Sequence, residues 1–320
     1  MTSPFISVIV TTYNRRNFLV EALHSLINQT YPRENYEVIV VKNFSDEISN
    51  KLIKEQKFKE INCAANNQGL MYKLALQESE GRILCFLDDD DLFKKDKLNR
   101  IAARFSLDNG LHYLASQVST IDGNGRIIAL EHKKYNKSLY IKSPLKQLKE
   151  LKFFDQRYLW ANSSSVAIRK EVLDKHTDYL PKINAAIDRF LFLCPVIDNL
   201  SCAYDPLPLS YYRIHSENSS VFDVSQSKTS DYFRRITHYN MQVSNVELIF
   251  IHMLGKTPLQ NKEKKRYYYY RLRYLMFADH MKKEKSACMV RYVLLSYIDK
   301  DNPNIFILFG VLLSLISPDS

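Results

Sequence analysis

A chain of 320 residues that is 46% apolar and 25% charged, with only 7 glycines, is too hydrophobic for disorder and too mixed in composition for a fibre. Its 45 Lys and Arg against 35 Asp and Glu leave a net charge of +10, which points to polyanionic partners: nucleic acid, an anionic membrane face or phosphorylated substrates. Five scattered cysteines, with no CxxC and no Cys/His cluster, argue against a disulfide framework or a structural zinc and fit a reducing cytoplasm. The N-terminal apolar run is too short, and its basic residues wrongly placed, for a secretory signal. The nearest thing to a membrane span, Ile305 to Ile316, falls short of the ~18 apolar residues required.

In chain order, Phe5 to Val10 is a short β-branched run expected of a strand covered on both faces. Beyond the turn at Asn14, residues Asn17 to Asn28 place Phe18, Leu19, Ala22, Leu23, Leu26 and Ile27 on one helical face. A second strand follows at Tyr36 to Val41, a polar helix at Asp46 to Lys57, a short strand around Ile61 to Ala64, a helix at Leu70 to Gln77 and a fourth strand at Arg82 to Leu87. This alternation implies a parallel sheet with helices on both faces and a ligand crevice at the carboxyl ends of its strands. The pattern weakens from Gly110 to Lys142, apart from a turn signal at Asp122 to Gly125. An extended stretch at Ala161 to Lys170, a helix near Asp188 to Leu193 and a strand near Leu209 to Tyr212 complete the body, and Tyr- and Lys-rich helices begin after about Ser230.

The outstanding local feature is Asp88-Asp89-Asp90-Asp91, directly after an apolar strand. Continued strand alternation would turn Asp88 and Asp90 to one side and Asp89 to the other. Two convergent carboxylates there suit Mg²⁺ or Mn²⁺, whose other ligands would be phosphates and water. A solvated acidic loop is the alternative, but four adjacent acids repel one another and a cation relieves that repulsion.

The segments SVIVTTYNR, VIVVKN, NNQG and EGRILCFLDDDD, and the late YYRIHSENSS, occur in that order between about Phe5 and Ser220. Together they resemble the family 2 glycosyltransferases, inverting enzymes of the GT-A fold that take a sugar from a nucleotide-sugar. The resemblance implies an α/β, GT-A-type, Rossmann-like and mostly parallel sheet over residues 1–230, followed by a helical, basic region at 231–320. It implies that Thr11, Tyr13 and Arg15 line the nucleobase and ribose pocket, and that Asp88 to Asp90 form the metal-binding Asp-x-Asp, with Asp90 the direct ligand. Arg213 and His215 would close over the diphosphate, His215 as a metal ligand or a phosphate donor. Asp188 would be the catalytic base. Its other reading is a helix-start charge. Asn43 stands where the family commonly has an acid and can hydrogen-bond a uracil-like edge. Lys73 stands where the family often has Asn, reaching phosphate or simply solvent. Trp160, Asn162 and the serine run after it are candidates for facing the acceptor, with ordinary packing the alternative.

The implied reaction moves a hexose from a nucleotide-diphosphate sugar, UDP-sugar favoured, to a glycan or lipid-linked acceptor in cell-surface polysaccharide or glycoconjugate synthesis. The cofactor would be Mn²⁺ or Mg²⁺. Between Gln260 and Asp301 there are eleven Lys and Arg against five acids, interleaved with tyrosines. That segment fits peripheral attachment to the anionic inner face of the cell membrane or packing on the catalytic body. Nucleic-acid binding through the same segment lacks a recognisable module, and a nucleotidyltransferase would need a Gly-rich loop that TTYNRR does not supply. A non-catalytic sugar-nucleotide-binding relative is the remaining alternative.

Overall fold

A computed structural model of the chain describes residues 5–129, 137–150, 159, 162–215, 218, 229–257, 259–275, 282–298 and 307. Trp160 and nearly all of the apolar stretch at 305–316 lie outside the described residues. The chain divides into two compact units, Met1–Gln147 with Gln156–Ile214, and Leu148–Asp155 with His215–Ser320.

The first unit opens with the expected alternation: β1 (Ile6–Thr12), α1 (Leu19–Ile27), β2 (Tyr36–Lys42), α2 (Glu47–Glu55), β3 (Lys59–Asn62), α3 (Gln68–Glu78) and β4 (Ile83–Asp88). Next come β5 (Leu92–Phe93), α4 (Lys97–Leu107), β6 (Tyr113–Ile121), β7 (Ile127–Ala129) and β8 (Leu139–Ile141). After α5 (Pro144–Glu150), whose last residues are counted with the second unit, come β9 (Val166–Arg169), α6 (Lys170–Asp174), α7 (Ile187–Ile197) and β10 (Cys202–Arg213). One sheet carries the order β3-β2-β1-β4-β9-β6-β10-β5. Its first four strands are parallel, as the sequence suggests, and β9 enters antiparallel between β4 and β6, making the second half mixed. β10 then runs parallel to β6 and carries β5 antiparallel on its other side.

Strand alternation sorts the core. Val8 and Val10 of β1 and Cys85 and Leu87 of β4 pack with Leu19, Leu23 and Leu26 of α1 and Leu98, Ile101 and Phe105 of α4. On the other face Phe86 stacks on Tyr72 of α3, ring centroids 4.9 Å apart. Helix starts follow the local chemistry: Asp46 accepts from Ser49 N at 2.9 Å ahead of α2, and Asn67 accepts from Leu70 N at 2.8 Å ahead of α3. All five cysteines are buried and free.

The second unit contains α8 (Thr229–Leu254), α9 (Gln260–Leu275) and α10 (Lys282–Ile298). Lys262, Lys265 and Arg266, part of the basic segment for which the sequence leaves membrane attachment and packing both open, are buried. Lys262 Nζ donates to the Leu148 carbonyl at 2.9 Å, and Arg266 pairs with Glu247 at 3.1 Å. Much of the charge at the start of α9 therefore faces inward. Among the described residues no helix is long and apolar enough to cross a membrane.

The start of α3 is fixed by a backbone-to-backbone approach. Gly69 N donates to the Ile183 carbonyl at 3.0 Å, and a β-carbon on Gly69 would fall 1.9 Å from the Leu180 oxygen and 2.5 Å from that of Ile183. Gly69→Ala should cost about 2–3 kcal/mol, whereas Gly123→Ala, with nothing within 4 Å of its β-carbon, should stay within about 0.5 kcal/mol of wild type. Denaturant melts of the two variants measure the difference.

Candidate active site

β4 delivers the acidic run to the carboxyl end of the parallel strands, where Asp88 stands in register with Thr11 of β1. The strand ends at Asp88 and the chain turns, Asp91 N donating to the Asp88 carbonyl at 3.1 Å, so alternation does not extend through Asp90. Each acid instead meets its own partners. Ser163 Oγ donates to Asp88 Oδ2 at 2.6 Å, and the Asp88 amide donates to Ser164 Oγ at 3.0 Å. Asp89 accepts from Thr12 Oγ1 at 2.5 Å and from Arg15. Arg15 also reaches Asp90 Oδ2 at 2.7 Å. Asp91 accepts from Arg213 N at 2.9 Å and from Asn162 Nδ2 at 3.0 Å.

The electrostatics follow from four carboxylates in little water. Burial, reinforced by the charge of Asp90, pushes Asp88 up to about 7. Burial pushes Asp89 up to about 6 against the opposing pull of Arg15, and Asp91 is driven well above the usual carboxylate range by burial, Asp90 and Asp88. Burial works against the charge on Arg15, but Asp89 and Asp90 outweigh it and hold the guanidinium protonated.

This surplus of negative charge is what a divalent cation neutralises. Among the described residues no group of three or more His, Cys, Asp and Glu has metal-holding geometry. A cation bound at this loop would draw one or two carboxylates from the protein, with Asp88 and Asp90 the candidates, and its other ligands from phosphate and water.

The other sequence candidates are distributed as follows. Arg213 is fully buried, its Nε donating to the Asp90 carbonyl at 2.8 Å, Nη1 to the Gly123 carbonyl at 3.1 Å and Nη2 pairing with Glu21 at 2.7 Å, while the guanidinium lies 4.4 Å from the Phe18 ring centroid. It bolts the acidic loop to the fold. Asn162 is likewise buried and turned to Asp91. Asn43 and Asn14 exchange amide hydrogen bonds of 2.7 and 2.9 Å, joining the ends of β2 and β1, with Asn14 at φ +57°. Thr11 is buried at the end of β1, Tyr13 is half-buried just beyond it, and Lys73 is half-buried on α3. His215 belongs to the second unit, where its amide donates to Asn218 Oδ1 at 2.6 Å.

Asp188 occupies the first turn of α7, directly after Ile187 and the left-handed Ala186 at φ +52°. The buried Tyr72 hydroxyl is raised by burial and then by the charges of Asp88 and Asp188, with a hydrogen bond to Ser163 opposing them. Asp188 thus acts through its charge on the same tyrosine as Asp88. The serine run, read as a candidate for facing the acceptor, instead turns Ser163 and Ser164 to Asp88, and one contributor escapes a reading by motif: Lys97, which is fully buried and pushed down to about 7 by burial. Lys97 shares a helical face with Leu98, Ile101, Ala102 and Phe105, and a lysine at that spacing on an apolar stripe was the available signal.

The family model for glycosyl transferase family 2 matches residues 7–177. The chain is a member of glycosyl transferase family 2. An uncharacterized glycosyltransferase of Rickettsia bellii is 31% identical over 127 residues, 38% of this chain but only 18% of that protein's length. Among solved structures, Staphylococcus aureus TarS 1–349 in complex with UDP-GlcNAc aligns with a TM-score of 0.57 at 16% identity, over 98% of this chain and 88% of that one. The mannosyltransferase PcManGT of Pyrobaculum calidifontis, in complex with GDP-Man and Mn²⁺, aligns with a TM-score of 0.54 at 15% identity, over 99% and 82% of the two chains. At these identities the structural likeness establishes the GT-A-type fold of this family 2 member.

Because Asp88, Asp89 and Asp91 are raised, folding takes up protons in this loop, and its contribution to stability is lost as pH climbs from about 4 through about 7. In metal-free protein, Asp88→Asn should therefore be about 1–2 kcal/mol more stable than wild type at pH 8 and indistinguishable from it near pH 4. Paired denaturant melts at the two pH values check this.

Proposed function

We propose that this family 2 member is an inverting glycosyltransferase that moves a hexose from a nucleotide-diphosphate sugar to a hydroxyl of a glycan or lipid-linked acceptor in cell-surface polymer synthesis. The observation that carries the reading is the gathering of Asp88 to Asp91 at the carboxyl end of β4, where Asp88 stands in register with Thr11 at the end of β1. Support for the donor class comes from the neighbours' own ligands, UDP-GlcNAc in TarS and GDP-Man with Mn²⁺ in PcManGT.

In this reading Thr11, Tyr13 and Asn43 line the nucleoside end of the donor, and Lys73 supplies a cation within reach of phosphate. Asp88 and Asp90 hold Mn²⁺ or Mg²⁺, whose positive charge, when bound, stabilises the departing diphosphate. Arg15 fixes Asp90 and its neighbour Asp89, so the acid does not have to be ordered during the reaction. Asp188 takes the proton from the acceptor hydroxyl as that oxygen forms its bond to the anomeric carbon. The bond from that carbon to the diphosphate oxygen breaks on the opposite face, the electron pair leaves with the nucleoside diphosphate, and configuration inverts.

The test is a calorimetric screen of UDP-, GDP- and dTDP-sugars with and without Mn²⁺. One of them should bind in a metal-dependent way, and binding by none would remove the transferase reading at its first step. With that donor in hand, Asp188→Asn should bind it within about threefold of wild type while turnover falls by about 10²–10⁴-fold. Full activity in Asp188→Asn would remove the base assignment.

A further inference from the structure

The run Asn162 to Ser165 forms a single 3-10 turn, Ser163–Ser165 with Asn162 before it, and every residue of it is buried. The turn grips the acidic loop at three points: Asn162 Nδ2 on Asp91, Ser163 Oγ on the Asp88 carboxylate, and Ser164 Oγ on the Asp88 amide. The turn is itself pinned from below. Lys97 Nζ donates to the Ser164 carbonyl and, at 2.8 Å, to Ser210 Oγ, and Ser210 Oγ donates to the same carbonyl at 2.6 Å. The Lys97 side chain passes over Phe93, with Nζ 3.6 Å from the ring centroid. Ammonium and amine forms of lysine both supply the two donors this arrangement needs.

A lysine buried this completely is costly to fold and rarely retained for packing alone. It touches none of the four acids by hydrogen bond, yet it fixes the carbonyl of the residue whose hydroxyl receives the Asp88 amide. A displacement of Ser164 therefore moves both the backbone and, through Ser163, the carboxylate of Asp88.

We propose that Lys97 is a positioning residue for the divalent-cation site, setting the geometry of Asp88 through the Asn162–Ser165 turn without touching cation or sugar. The proposal rests on the reading of Asp88 as a cation ligand.

It is tested on the full chain by titrating Mn²⁺ alone, with no donor present, and following free Mn²⁺ by electron paramagnetic resonance. Wild type is compared with Lys97→Met, with Ser164→Ala, which keeps the lysine but removes the acceptor of the Asp88 amide, and with Phe105→Ala, a core truncation further along α4. The expected result is a Mn²⁺ dissociation constant raised about tenfold or more in Lys97→Met and several-fold in Ser164→Ala, with Phe105→Ala unchanged although less stable to heat. Should Lys97→Met not fold, Ser164→Ala against Phe105→Ala decides. Equal affinities across the variants, or an equal loss in Phe105→Ala, overturn the positioning role while leaving the cation site standing. Wild type that takes up no Mn²⁺ overturns the cation reading and the proposal with it.

Discussion

Four consecutive carboxylates held in one largely buried loop are the constraint around which the first unit is organised. At an effective dielectric near 20, two like charges about 4 Å apart cost about 4 kcal/mol, so such a loop does not hold itself together. Its partners come from far apart in the chain: Thr12 and Arg15 from the end of β1, Asn162 to Ser164 from the turn before β9, and Arg213 from the last residue of β10. The mixed half of the sheet brings these segments together. With β9 antiparallel between β4 and β6, the turn that precedes β9 arrives at the carboxyl end of β4, where the acids are. The partners satisfy hydrogen bonds more completely than they neutralise charge, and the loop keeps an appetite for protons or for a cation.

The parallel half of the sheet was legible because local pattern and tertiary role agree there. Strands buried on both faces are continuous apolar runs, and α1 presents a clean stripe whose Leu19, Ala22, Leu23 and Leu26 are all buried. β10 was recognised only at its end because Pro206 and Pro208 interrupt it, and the structure accommodates them by register shifts between Asp205 and Ser210. β6 was hidden for a different reason: Ser116, Ser119 and Thr120 are buried polar residues that blur its apolar pattern. At the site, residue types were readable and orientations were not. The acidic run, Asp188 and Arg15 stand out from motif and chemistry, but the turn after Asp88 is decided by partners scattered over the chain, and with it the pairing of Arg15 to both Asp89 and Asp90.

The same limit governs the charged C-terminal helices. A count of lysines and arginines treats every one as solvated, yet Arg266 sits among Glu247 and Glu263 with almost no exposure, and Lys262 serves as a donor to a main-chain carbonyl. In α9 part of the basic excess is structural material, consumed by internal partners, and net charge overstates what the helix offers to an anionic surface.

The approach of Gly69 to the carbonyls of Leu180 and Ile183 sets a dimension of the molecule. Tyr72 stands three residues beyond one side of that seam and Asp188 five residues beyond the other. At its tightest point the seam is main chain against main chain, with the Asn67 side chain donating to the Pro181 carbonyl at 2.8 Å alongside, and it leaves no room for a side chain on residue 69. Substitutions elsewhere on α3 and α7 exchange side chains, but the distance between the start of α3 and the segment leading into α7 is carried by peptide units and holds for as long as residue 69 is glycine.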